Sequence, residues 1–286
     1  ANAVEFGVEE LNDDLELEFS GEERAEGDTG LAEVSRELKD RVETQKMQAV
    51  TLGGEHFVND WTIGYAIGHS QSSEDEQGGI SGGVFEAGFS DMGFENTRTP
   101  RLLAPADFYD PAEYVLNEVE YTQAYTEDTQ NSVKLDITRD FFAGNYPALV
   151  KFGGKLTRRE KEQDINEYKF EDFEDNGFDA ADLTLDNFAG PEADYQFGRF
   201  GNTIQAQSVY DLINSLNKAD FIDDEASRVG DYRIEEDINA AYVMGRVDIN
   251  DLRVLGGVRY EKTDLTFAGT GLNEDDELVA SNARND

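Results

Sequence analysis

The chain lacks cysteine altogether, so disulfides, thiolate metal centres and cysteine nucleophiles are excluded. Histidine is nearly absent, with only His56 and His69, and neither falls in a Ser-His-Asp grouping or a metal-ligand spacing. No glycine-rich phosphate loop follows a strand and opens a helix, so the sequence argues against an enzyme and offers no catalytic residue, cofactor site or metal site. Basic residues are few: 24 against 63 acidic ones, a formal net charge of −39 over 286 residues. A nucleic-acid partner would need the opposite sign to neutralise phosphates, so none is expected. The acidity fits a strongly solvated surface suited to a saline medium, or cation attraction at loop carboxylates. No run of about 18 apolar residues could form a membrane-spanning helix. A β-barrel escapes that test, because only alternate residues of each strand meet lipid. The chain opens at Ala1 without a charged and apolar leader, so any export signal is expected to have been removed or to lie outside this sequence.

Several segments alternate apolar and polar residues with period two. In 61–68 (WTIGYAIG) the large apolar side chains fall in one phase and small residues in the other. Val133-Lys134-Leu135-Asp136-Ile137-Thr138 repeats the pattern with charges in the second phase, as do 150–156 and, with a lapse at Leu255, 252–260. Each predicts a strand with one greasy and one polar face.

Spacing separates a soluble sandwich from a membrane barrel. Short polar turns are expected at Asn12-Asp13-Asp14, Val58-Asn59-Asp60, Ala143-Gly144-Asn145 and Asn250-Asp251. Between them lie three long stretches read as irregular: Gly21 to about Leu38, Gln71 to about Glu118, and Lys161 to about Gly230. Connections beyond about 15 residues are uncommon in compact soluble domains, whereas outer-membrane barrels alternate short periplasmic turns with long external loops. The expected fold is therefore all-β: about eight strands of an antiparallel up-and-down transmembrane β-barrel, with long extracellular loops. The last strand is expected to end near Phe267, with an acidic tail from Asn273 to Asp286. Inside the third loop, Val209, Leu212, Ile213 and Leu216 have helical spacing, with Ser208 as a candidate N-cap.

Certain strand sequences carry a family resemblance. Leu52-Gly53-Gly54-Glu55-His56 leads to Asp60-Trp61-Thr62, and Lys151-Phe152-Gly153-Gly154-Lys155 leads to Arg158-Arg159. Ala240-Ala241-Tyr242-Val243-Met244 precedes 252–263 (LRVLGGVRYEKT). From about Glu5 to Phe267 the chain resembles barrel strands of TonB-dependent outer-membrane receptors, particularly the subgroup common in Xanthomonas- and Caulobacter-like bacteria. The resemblance implies a barrel of about 22 strands in the bacterial outer membrane, plugged by an N-terminal domain. It implies nutrient import driven by the TonB complex, with membrane lipid, plug, TonB and a small ligand as partners. Residues 1–286 are then expected to be one part of such a barrel, with the plug and final strands lying elsewhere.

Two sets of residues are the candidates for function. Loop aromatics could stack on a ligand or pack the loops together: Phe85, Phe89, Phe94, Phe108, Tyr109 and Tyr114 in the second loop, and Phe170, Phe173, Phe178, Phe188, Tyr195, Phe197 and Phe200 in the third. Charges in the polar phase of strands are expected to face the lumen: Lys134, Asp136, Lys151, Lys155, Arg246, Arg253 and Arg259. Strong acidity disfavours a polyanionic ligand, and the resemblance leans toward carbohydrate importers, so an oligosaccharide is the favoured solute. A siderophore or cobalamin receptor, a passive porin and a non-transporting β-rich surface binder are the alternatives. Asp172-Phe173-Glu174-Asp175-Asn176-Gly177 has the alternation of a calcium loop, but the twelfth position is Leu183 rather than Glu, so the EF-hand reading fails and only adventitious cation binding is left open.

Overall fold

The computed structural model describes residues 2–5, 8–11, 17–19, 32–90, 92–95, 101–194, 198–273 and 277–285. In chain order, β1 (Asn2–Glu5), β2 (Val8–Leu11) and β3 (Leu17–Phe19) are short. They precede β4 (Ala32–Asp40), β5 (Glu43–Val58) and β6 (Trp61–Phe89). The small β7 (Gly93–Glu95) and β8 (Arg101–Leu103) follow, then β9 (Val115–Ala143) and β10 (Tyr146–Phe170). The next loop holds β11 (Ala189–Glu192), β12 (Asn202–Ile204), α1 (Ala206–Ser215), β13 (Ile222–Asp223) and α2 (Asp224–Gly230). β14 (Tyr232–Ile249), β15 (Leu252–Leu272) and β16 (Leu278–Asn285) complete the chain. One antiparallel sheet runs β1-β4-β6-β9-β10-β14-β15-β16, with β5 also paired to β6 and β13 to β10. Sequential strands are thus neighbours, as in an up-and-down barrel.

Contacts divide the chain into two compact units. The wall unit comprises Glu43–Gln77, Ala124–Ile165 and Asp224–Asp286. Its strands are joined by turns at Asn59-Asp60, Gly144-Asn145 and Asn250-Asp251. Asn59 (φ 53°), Gly144 (φ 67°) and Asn250 (φ 50°) sit in the left-handed region, which Gly tolerates freely and Asn better than most residues, as tight hairpins demand. The three turns lie at one end: the Asp140 amide donates to the Asp60 carbonyl at 2.9 Å, and Ala148 pairs with Val247. The turn expected at Asn12-Asp13-Asp14 lies outside the described residues.

Register fixes the two faces of this wall. On one face the pairs Leu52↔Ile67, Phe152↔Val243, Val243↔Val258 and Ala241↔Tyr260 align apolar side chains. Ile67 is 54% and Val258 72% exposed. The apolar band is bounded near the turns by Trp61, whose ring takes Arg139 at 5.1 Å. Its far boundary is His69, bonded to Asn131 at 2.9 Å. From Trp61 to His69 the strand rises about 27 Å. On the opposite face lie Gly64 and Gly68, beside Asp136 and Ser132 respectively. The Gly-Gly pairs have steric reasons: a Cβ on Gly54 would stand 2.7 Å from the Tyr65 hydroxyl, and one on Gly153 2.5 Å from the Leu135 carbonyl.

The loop unit comprises Ala1–Val42, Gly78–Gln123 and Asn166–Asp223. Ala32, Val34, Arg36 and Leu38 of β4 are buried while the residues between them are more exposed. Val34 and Leu38 share a core with Ile80, Phe85, Leu116 and Val119 from the sheet and with Val209 and Ile213 from α1. α1 forms where its apolar spacing predicts, but its N-cap is Gln205 rather than Ser208, whose amide instead bonds the Gln205 carbonyl at 3.1 Å.

Expected boundaries are corrected in all three stretches read as loop. Strand β4 begins at Ala32 within the first, β6 continues through Gln71–Phe89 and β9 resumes at Val115 in the second, and β10 runs to Phe170 in the third. From Gln71 to Gln77 the strand carries Gln, Ser and acidic residues on both faces, so the apolar signal vanishes while ladder bonds to β5 persist. The acidic tail is also strand: β16 pairs Leu278 through Asn285 with β15, whose end lies at Leu272 rather than Phe267. The turns supply a direct check by urea unfolding in lipid vesicles. Asn250→Gly should leave stability within about 0.5 kcal/mol, whereas Asn250→Val should lose about 1–2 kcal/mol from the left-handed strain; equal tolerance of both contradicts the turn geometry.

Candidate functional site

Arg36 organises the loop unit. It is 2% exposed, and no carboxylate pairs with it among the described residues. Its Nη1 donates to the Asn202 carbonyl at 3.1 Å, and Nη2 to the carbonyls of Phe108 and Phe200, both at 3.2 Å. The guanidinium also lies over Tyr114 at 4.5 Å, Phe108 at 5.6 Å and Phe200 at 5.9 Å. Aromatic faces and carbonyl dipoles therefore take the place of a counter-ion, while Nε has no hydrogen-bond partner among the described residues. One side chain on β4 thus holds two loop segments, around Phe108 and around 200–202. The Tyr114 hydroxyl donates to the Phe108 carbonyl at 2.8 Å. Burial pushes the Tyr114 phenol above its ordinary value, and Arg36 opposes that shift.

Beside this latch lies a more open pair. Tyr109 packs edge-on against Phe108 at 4.9 Å and accepts the Arg199 guanidinium over its ring at 4.6 Å. Arg199 is tied to Glu192 at 2.7 Å. Tyr109 and Phe200 are half-buried and Arg199 is exposed, so rings and a guanidinium present flat surface to solvent.

The loop aromatics divide by burial. Phe85, Phe89, Phe108, Tyr114, Phe170, Phe173 and Phe188 are each 5% exposed or less. They pack on one another or on further rings, with Phe85–Phe188 at 5.3 Å, Phe89–Tyr114 at 5.4 Å and Phe170–Phe221 at 4.9 Å. A ring without an open face cannot stack on a solute, so these seven form core and leave the candidate ligand set. Tyr109, Phe178 and Phe200 keep accessible surface. Tyr195, Phe197 and the Phe94 side chain lie outside the described residues. The Asp172–Gly177 segment is a compact turn with Asp172 at φ 52° and Gly177 at φ 91°; its amides at Asp175, Asn176 and Gly177 bond carbonyls within the turn.

The charged set of the wall unit shares one face. Asp136 accepts from Lys134 at 2.7 Å, Lys151 at 3.6 Å and the Tyr242 hydroxyl at 2.7 Å. Asp248 takes Arg253 at 2.7 Å and Arg246 at 3.5 Å, and Arg259 pairs with Glu261. Lys155 falls on the same face through the register Lys151↔Met244, Gly153↔Tyr242, Lys155↔Ala240. Six basic residues here face three carboxylate partners in a chain otherwise dominated by acid. The two histidines lie on the apolar face, His56 stacked on Tyr65 at 5.6 Å with Nε2 3.0 Å from its hydroxyl, and His69 at the band boundary.

Sequence reasoning overlooked Arg36 and Arg199. The first was detectable: Arg36 occupies the apolar phase of Val34-Ser35-Arg36-Glu37-Leu38, where a charge needs special partners. Arg199 carried no comparable signal. Among comparisons with known proteins, a family model described as TonB dependent receptor-like, beta-barrel matches residues 60–285. No curated protein matches the chain.

The latch predicts that Arg36→Met costs about 2–4 kcal/mol by leaving three carbonyls unpaired, and that Arg36→Lys rescues little because an ammonium cannot span the fork. Hydrogen exchange should quicken at 106–114 and 198–204 and stay unchanged at 146–156; uniform protection in both variants contradicts the latch. Tyr114 adds a pH signature. Its neutral phenol favours the folded state below its ordinary pKa of 10.0, and this stability is lost as pH rises through the raised folded value.

Proposed function

The chain belongs to the TonB-dependent receptor β-barrel family, which transports solutes across the bacterial outer membrane with energy from TonB, and we propose that this member imports an oligosaccharide recognised through Tyr109, Arg199 and Phe200. The observation that carries this reading is the open ring–guanidinium surface in a chain of net charge −39. Flat rings suit sugar faces, and Arg and Glu192 supply hydrogen bonds to hydroxyls. A neutral solute escapes the repulsion that a ligand rich in free carboxylates meets.

The apolar face of the wall meets lipid in this reading, and the Asp136 and Asp248 networks face the lumen. A Lys or Arg at the lipid midplane costs about 2–4 kcal/mol, so the basic residues of the polar face would be intolerable on the lipid side. Their excess over local carboxylates supports a role in docking an acidic surface of the plug. Pairs this exposed contribute little stability one by one, so their value lies in orientation rather than in holding the sheet.

Binding of oligosaccharide panels to the intact receptor tests the ligand assignment. Tyr109→Ala and Phe200→Ala should each weaken affinity about tenfold, with Tyr109→Trp near the unmodified value. Tight binding of a ferric siderophore or cobalamin with no sugar bound contradicts the oligosaccharide reading. Uptake unaffected by loss of TonB would instead favour a passive pore. Arg253→Gln and Arg259→Gln should leave membrane insertion intact and reduce uptake; lost assembly with normal export contradicts the lumen assignment.

A further inference from the structure

Building on the oligosaccharide reading, we infer that Arg199 is a displaceable cover on the Tyr109 ring and that it selects solutes by length. A sugar unit must move the guanidinium aside before it can stack. Only a chain long enough to reach the displaced guanidinium then recovers a bond to it. The favoured solute is therefore an oligosaccharide as opposed to a free monosaccharide.

Two neighbouring rings each carry a guanidinium. Arg36 lies over Phe108 at 5.6 Å and Arg199 over Tyr109 at 4.6 Å. The two cations are held very differently. Arg36 is 2% exposed and donates to three backbone carbonyls, so moving it would strand all three. The Arg199 side chain is 57% exposed, and its Nε donates to Glu192 Oε1 at 2.7 Å. That bond takes one of the five N–H groups of the guanidinium. Its Nη1 and Nη2 end has no hydrogen-bond partner among the described residues. Glu192 is itself 52% exposed, so the guanidinium can turn about this single tie in water.

Tyr109 is half-buried, with Phe108 edge-on at 4.9 Å, and the guanidinium takes ring surface that would otherwise meet solvent. A sugar C–H face and a guanidinium need the same π surface, so they exclude one another there. An exposed cation–ring contact is weak, about two- to fivefold in an equilibrium constant, and a solute can displace it. A monosaccharide on Tyr109 forfeits that contact and gains only the stacking. A longer chain also gains the freed Nη end, whose charge-assisted bonds to hydroxyls outweigh the ring contact. Phe200, next to Arg199 in the chain, has its carbonyl fixed by Arg36 at 3.2 Å and stays in place as the cover turns.

Calorimetric titration of the intact receptor tests the cover, using a methyl glycoside and the trisaccharide of the same sugar in gluco-, manno- and galacto-configured pairs. Arg199→Ala should raise affinity for the methyl glycoside about two- to fivefold and lower affinity for the trisaccharide about fivefold. Arg233→Gln, which removes an exposed cation of the wall unit paired with Glu160, should change neither and so controls for net charge. Hydroxyl-radical footprinting without sugar reads the cover directly: oxidation of Tyr109 should rise severalfold in Arg199→Ala and stay level in Arg233→Gln. Unchanged Tyr109 oxidation, or affinities for both lengths moving in the same direction, overturns the proposal. Sugars that bind without this reversal of sign overturn the cover alone, whereas no binding by any sugar overturns the oligosaccharide reading beneath it as well.

Discussion

Backbone hydrogen bonding without water is the constraint on which the structure depends. Inside hydrocarbon an unpaired peptide N–H or C=O costs several kcal/mol, so a chain with no apolar helix crosses only by pairing strand with strand. The ladders β10–β14 and β14–β15 meet that demand continuously, from Ala148↔Val247 to Gln163↔Tyr232 and from Ile249↔Leu252 to Tyr232↔Gly269. Once the backbone is satisfied in this way, period two follows, and with it the separation of an apolar face from a charged one.

That separation accounts for how so acidic a chain belongs in a membrane. The wall keeps its apolar phase free of charge from Ala148 to Leu156 on β10 and places Lys134, Lys151 and Arg253 with their carboxylates on the other phase. Past Arg158 the requirement lapses, and Glu160 and Glu235 appear on the formerly apolar face. The loop unit solves a different problem. It buries its rings and aliphatics in a core of its own beside Arg36, a buried cation that aligns two loop segments and leaves Tyr109 and Arg199 open beside them. In the proposed reading, the wall meets the membrane and the loop unit recognises the solute.

Much of the wall was legible in the sequence because lipid imposes a rule that composition must obey. The turns at Asn59, Asn145 and Asn250 and the alternating strands beside them are all where period and turn chemistry place them. Legibility ended where the rule ended. Gln71-Ser72-Ser73-Glu74-Asp75 is strand without an apolar phase, and Leu278–Asn285 pairs with β15 despite reading as a tail. Ser208 looked like an N-cap, yet the helix starts earlier because Val209 and Ile213 set its position by burial. The loop aromatics were found as a group, but sequence could not separate Phe108, sealed under Arg36, from its neighbour Tyr109, whose ring stays open to Arg199.

The central claim is that the two phases of the wall face different media. Because the native chain has no cysteine, single cysteines placed from Trp61 to His69 can carry nitroxide labels without background. In lipid vesicles, labels at 63, 65 and 67 should be relaxed by dissolved oxygen and shielded from a water-soluble nickel chelate, with the reverse at 62, 64, 66 and 68. A two-residue oscillation in antiphase for the two reagents is the predicted result. Equal nickel access at 63 and 64, 65 and 66, and 67 and 68 would contradict the account.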